Sequence, residues 1–146
     1  MSTGFHALEI ADVRREIADA VSLRLAVPEN LADTFRFTPG QHLTLRADIN
    51  GEDVRRNYSI CAAPHEGELR VAIKQVAGGV FSGWANETLR AGQSIEVMPP
   101  HGSFTWTFDS PQARTYAGFA GGSGITPILS LLKTALTTEP ASRFIL

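Results

Sequence analysis

Apolar and polar positions alternate with period two over most of this chain, and only near its end do they recur in the longer runs of a helix and buried strands. Val21, Leu23, Leu25 and Val27 alternate with Ser22, Arg24 and Ala26, which is strand periodicity. Pro39-Gly40-Gln41 then turns the chain into a strand over 42–47. Asn50-Gly51, both tolerant of positive φ, predicts a tight hairpin from there into a strand over 54–60. Glu66-Gly67-Glu68 leads into a further strand over 69–76. Phe81, Trp84, Ala85, Thr88 and Leu89 fall at helical spacing just after Gly78-Gly79, and Ala91-Gly92 ends that helix. Strands are expected again over 94–98 and 103–108, separated by Pro99-Pro100-His101-Gly102. Short strands with regular turns predict an antiparallel barrel, closed or nearly so, because closure removes exposed strand edges.

The pattern changes after Asp109-Ser110-Pro111-Gln112, which reads as a linker. A buried strand over 114–120, a helix over 126–137 and a strand from Arg143 follow βαβ logic. The expected division is therefore a barrel over 1–109 and the start of a parallel-sheet α/β domain over 112–146. A parallel sheet needs further strands to bury both faces, so the chain reads as the N-terminal part of a longer protein. On that reading Ile128, Leu131, Leu132, Phe144 and Ile145 are expected to expose apolar surface.

Composition narrows the function. A chain of 146 residues can bury one good core and a piece of a second. A net charge of −2, with signs mixed, gives no electrostatic case for nucleic acid or an anionic membrane. No apolar run approaches the ~20 residues of a membrane span. No signal peptide is visible, which favours the cytoplasm. Cys61 is the single cysteine, which excludes an internal disulfide and a cluster held by four local thiolates. His6, His42, His65 and His101 show no metal-ligand spacing, and no residue is assigned to a metal.

Three clusters can carry chemistry. In Arg56-Asn57-Tyr58-Ser59, period-two alternation puts Arg56 and Tyr58 on one strand face. A cation beside an aromatic plane suits a ligand with phosphates and a flat ring; a surface arginine beside a half-exposed tyrosine is the plainer alternative. In Gly78-Gly79-Val80-Phe81-Ser82, a strand passes through glycines into a helix start, with Ser82 as its cap, leaving free N–H groups for phosphate. A flexible connection would read the same way. Gly121-Gly122-Ser123-Gly124-Ile125-Thr126-Pro127 links a buried strand to a helix, with Thr126 expected to cap it and Pro127 at its first position. A glycine turn of this kind is a weak signal alone.

Taken in order, these clusters resemble the fingerprints of the ferredoxin–NADP reductase-type flavoprotein family, and the resemblance covers nearly the whole chain. Pro39-Gly40-Gln41 and Pro100-His101-Gly102-Ser103-Phe104 also look like family landmarks. Within the family the stretches 39–46, 54–61 and 95–100 are most similar to oxygenase reductase components, in particular those of the phenylacetyl-CoA epoxidase type. The resemblance implies a Greek-key FAD-binding barrel followed by a nicotinamide-binding α/β domain. It implies that Arg56 pairs with the flavin pyrophosphate, Tyr58 stacks on the isoalloxazine and Ser59 hydrogen-bonds near N5, with Asn57 between them in the same motif. Backbone around Ile73 and Lys74 would contact the flavin; Gly79, Val80, Phe81 and Ser82 would cradle the pyrophosphate. Gly122, Gly124 and Thr126 would belong to the nicotinamide side, with Thr126 facing the flavin and Ser59 and Thr126 at the chemistry. The implied activity is hydride transfer from NADH or NADPH to flavin N5, then single electrons to a [2Fe–2S] centre outside this chain, in a ferredoxin domain serving an oxygenase component. A non-catalytic flavin-binding module, or a siderophore-interacting reductase of the same fold, is the alternative.

Overall fold

The computed structural model describes residues 4–146, so the first three positions of the expected barrel lie outside the described residues. Strands β1 (His6–Ile17) and β2 (Ala20–Ala26) form a hairpin. Strands β3 (His42–Ile49) and β4 (Glu52–Ser59) form another, and β5 (Leu69–Lys74) and β6 (Ser94–Val97) complete the sheet. Asn50 and Gly51, at φ 54° and 82°, make the tight turn expected between β3 and β4. The strand order is β4-β3-β6-β1-β2-β5, antiparallel throughout, which is a Greek-key crossing rather than a meander. The sheet closes where Ile60 bridges Val71 and Cys61 N–H donates to the Arg70 carbonyl at 2.9 Å.

Alternation fills the barrel. Val21, Leu23 and Leu25 of β2 meet Leu43, Leu45, Val71, Ile73 and Val97 in one buried cluster, which Phe81 and Ala85 of helix α1 (Val80–Thr88) cap at one end. Ser22, on the polar face of β2, is buried too: Arg70, 5% exposed, donates to Ser22 at 2.8 Å and pairs with Asp12 at 2.9 Å and Glu68 at 3.1 Å. Such a charge is tolerable inside only because it is paired.

Two sequence expectations fail here. Residues 103–108 are not a strand: Pro99 and Pro100 lack ladder donors, only the single bridge from His42 to His101 forms, and Phe104 and Trp106 stay 58% and 54% exposed. The tail is also better covered than expected. Strands β7 (Thr115–Ala117) and β8 (Arg143–Ile145) pair in parallel around helix α2 (Ile125–Thr138). Ile128 and Leu131 are buried, because α2 leans on the barrel: Ser130 Oγ donates to the Ala62 carbonyl at 2.7 Å, and Lys133 pairs with Glu66 at 2.9 Å. Leu132 and Phe144 are half-buried; Ile145 is exposed, and Phe119 stands 91% exposed. Among the described residues no helix is long and apolar enough to cross a membrane.

Candidate functional site

A cleft of about 740 Å³ opens where the last residues of β4, the exit of β5, the start of α1 and the glycine turn before α2 converge. It gathers most of the expected residues: Arg56, Asn57, Tyr58 and Ser59 from β4, Lys74 from β5, Gly79, Phe81 and Ser82 from the helix start, Gly122 from the later turn and Thr126 from the first turn of α2. Three stand aside from its lining. Ile73 is buried in the core beneath it, with its carbonyl accepting from Asn86 at 3.0 Å. Val80 is 50% exposed on the first turn of α1, and Gly124 is the residue before α2.

The two expected caps act differently from their reading. Ser82 is the third residue of α1, where its hydroxyl accepts from Val76 N–H at 3.0 Å and ties down the glycine loop instead of capping the helix. Thr126 is the second residue of α2, and its hydroxyl donates back to the Ser123 carbonyl at 2.9 Å; Pro127 is the third residue, not the first. Neither helix start has a side-chain cap. The first intrahelical amide bond of α1 is Gly83 N–H to the Gly79 carbonyl at 3.1 Å. The amides of Val80, Phe81 and Ser82 therefore precede the helical ladder, at its positive end. A Cβ on Gly79 would collide with Ser82 Oγ and crowd Val76, so only glycine lets the loop close this tightly.

Charge follows the same logic. No carboxylate lines the cleft, and neither Arg56 nor Lys74 forms an ion pair among the described residues. Arg56 is held along its strand by donating to the Arg55 carbonyl at 2.7 Å. Tyr58 is half-buried, with its ring centroid 5.8 Å from that of Phe81, which in turn meets Trp84 edge-on at 5.4 Å. Burial pushes the Tyr58 phenol up to about 12, against the opposing pull of Arg56, so it stays a neutral donor at physiological pH. Two cations, free helix amides, a glycine cradle and a buried-edge aromatic make a site for an anionic ligand with a flat ring. The cradle that a Cβ would fill and the unpaired cations fit the pyrophosphate of a flavin dinucleotide.

Sequence reasoning did not single out Asn86 or His42. Asn86, on the inner face of α1, is invisible as a partner of Ile73 until the helix docks on β5. His42 pairs across the ladder with Ser59 and meets His101 at 4.1 Å between ring centroids. Burial, with His101 beside it, holds the His42 imidazole below its ordinary range.

The chain belongs to the family of oxidoreductase FAD-binding domains, whose model matches residues 7–106. Among individual proteins it is 47% identical over 144 residues to a subunit of the 1,2-phenylacetyl-CoA epoxidase of Escherichia coli (strain K12), covering 99% of this chain and 40% of that protein. It is 40% identical to the ferredoxin reductase component of 3-ketosteroid-9-alpha-monooxygenase from Rhodococcus rhodochrous, covering 89% of this chain and 37% of the relative. Phthalate dioxygenase reductase superimposes with a TM-score of 0.70 at 31% identity, over 97% of this chain and 42% of that structure. The chain thus spans about 40% of the length of the first of these relatives.

Proposed function

We propose that this chain is the FAD-binding part of an NAD(P)H-dependent reductase, the electron-transfer component of a multicomponent oxygenase. The observation that carries the reading is the cleft itself. Among the described residues it joins Arg56 and Lys74, neither in an ion pair, to the half-buried Tyr58 and the free amides of α1, with no carboxylate in its wall. The division into a barrel over 1–109 and an α/β segment over 112–146 belongs to this reading, as does a cytoplasmic location.

In it, Arg56 and the amides of Val80, Phe81 and Ser82 bind the dinucleotide phosphates, and Gly79 lets them approach. Tyr58 covers one face of the flat ring and excludes water from it. Ser59, from the barrel, and Thr126, from α2, both line the cleft and would orient the two ring systems there. A flavin held there would supply hydride acceptance at N5 and one-electron release, the latter toward a [2Fe–2S] centre outside this chain.

The test is an absorption spectrum of the chain after FAD is added and the excess removed, repeated after anaerobic NADH. Retained flavin absorbance is expected, and bleaching by NADH would show that 112–146 already admits the nicotinamide. Flavin retained without bleaching would leave a flavin-binding module, and a colourless protein would contradict the reading.

A further inference from the structure

Resting on the dinucleotide reading of the cleft, we infer that Asn86 is a positioning residue: it holds the exit of β5 and the first turn of α1 in the geometry that receives a diphosphate. Asn86 is 4% exposed on the inner face of α1, which it shares with Phe81, Ser82 and Ala85. An amide there is a poor choice for packing, since asparagine forms helices less well than leucine and a buried amide costs free energy unless it is satisfied. Here it is satisfied. Nδ2 donates to the Ile73 carbonyl at 3.0 Å and to the Ser82 carbonyl at 2.9 Å. Oδ1 accepts from Arg15 Nη1 at 3.0 Å, and the Asn86 carbonyl accepts from Arg15 Nη2 at 2.7 Å.

These bonds run to both ends of the loop that shapes the cleft. Ile73 immediately precedes Lys74, and Ser82 is the residue whose hydroxyl receives Val76 N–H at 3.0 Å. Asn86 therefore fixes the strand before residues 75–79 and the helix after them, while Ser82 fixes the middle. Arg15, reaching from β1, sets the rotamer of the amide with a two-pronged grip that a lysine cannot reproduce. The N–H groups that meet phosphate are pre-oriented by this clamp, so ligand binding need not order them. The wall that meets the flat ring, Tyr58 on β4, is not touched by these bonds.

The expected signature is selectivity among flavins. Asn86→Leu keeps the side chain's heavy-atom count, its branching and the charge, and Arg15→Lys keeps the charge while losing the fork. Dissociation constants of FAD, FMN and riboflavin are measured for each by flavin fluorescence quenching. Asn86→Leu is expected to weaken FAD by about tenfold or more, FMN by less, and riboflavin by under about twofold. Arg15→Lys is expected to follow the same order with smaller changes, and it decides the matter if Asn86→Leu does not fold. Equal weakening of all three flavins, or unchanged FAD affinity, would overturn the role of Asn86 alone. Failure of the unsubstituted chain to bind FAD would remove the cleft reading and this inference together.

Discussion

The barrel and the segment after it are held together by different physics. In the barrel, the interior is a single apolar cluster, with Leu23, Leu43, Leu45, Val71, Ile73 and Val97 fully buried inside a ladder closed by Ile60 and Cys61. In 112–146, the buried residues are as often polar as apolar: Ile128, Leu131 and Ala135 stand beside Ser130, Glu139 and Ser142. Glu139 alone receives Ser142 Oγ at 2.7 Å, Asp109 N–H at 2.9 Å and the Tyr116 hydroxyl at 2.9 Å. Its carboxylate knots the linker, β7 and the end of α2. A barrel with its own core folds on apolar area; the later segment stands on a few polar bonds to itself and to the barrel. Regions with such thin apolar support open first.

Substitutions can break that contrast or sharpen it. The largest effect is expected in the barrel: Leu23→Ala leaves a cavity among fully buried neighbours and should cost about 2–5 kcal/mol in global denaturant unfolding. Next comes Ser130→Ala, which strips the Ala62 carbonyl of its partner at the seam between barrel and α2. It should cost about 1–3 kcal/mol, read as faster hydrogen exchange in 125–138 with the barrel amides unchanged. Equal loss of protection in both regions would mean the two unfold as one unit.

Acid should loosen the later segment through Glu139. Burial raises the Glu139 carboxyl, yet the hydrogen bonds from Ser142, Asp109 N–H and Tyr116 outweigh it and hold the folded-state pKa below the ordinary 4.5. The sign follows: the stabilisation is present above the unfolded value and is lost as pH falls through the lower folded one. Hydrogen exchange across an acid titration should show 112–146 loosening in that window, and Glu139→Gln should remove this contribution to the pH dependence. The smallest effect concerns Cys61, whose thiol burial pushes up to about 11. It should react with a thiol reagent at pH 8 far more slowly in the native chain than in denaturant.

Local rules carried the reading where local chemistry decides. Asn50-Gly51 demanded a tight turn, and period two placed Arg56 and Tyr58 together, because both follow from one or two residues. Reading failed where a side chain had a choice of partner. Ser82 and Thr126 look like caps in sequence, but Val76 N–H and the Ser123 carbonyl lay closer once the loops closed. The stretch 103–108 alternates like a strand, yet the prolines before it leave it no ladder to join. Asn86, Ser130 and Glu139 gain their meaning from partners 13, 68 and 30 positions away, which no local pattern records.

In the proposed function, Arg56 and the start of α1 build the cleft that holds a flavin dinucleotide. The most direct measurement is a fluorescence titration of FAD into the chain and into its Arg56→Ala variant. Saturable binding is expected that weakens by about tenfold to a hundredfold on losing the charge-assisted contact. Binding unchanged by Arg56→Ala, or no binding by either protein, would contradict it.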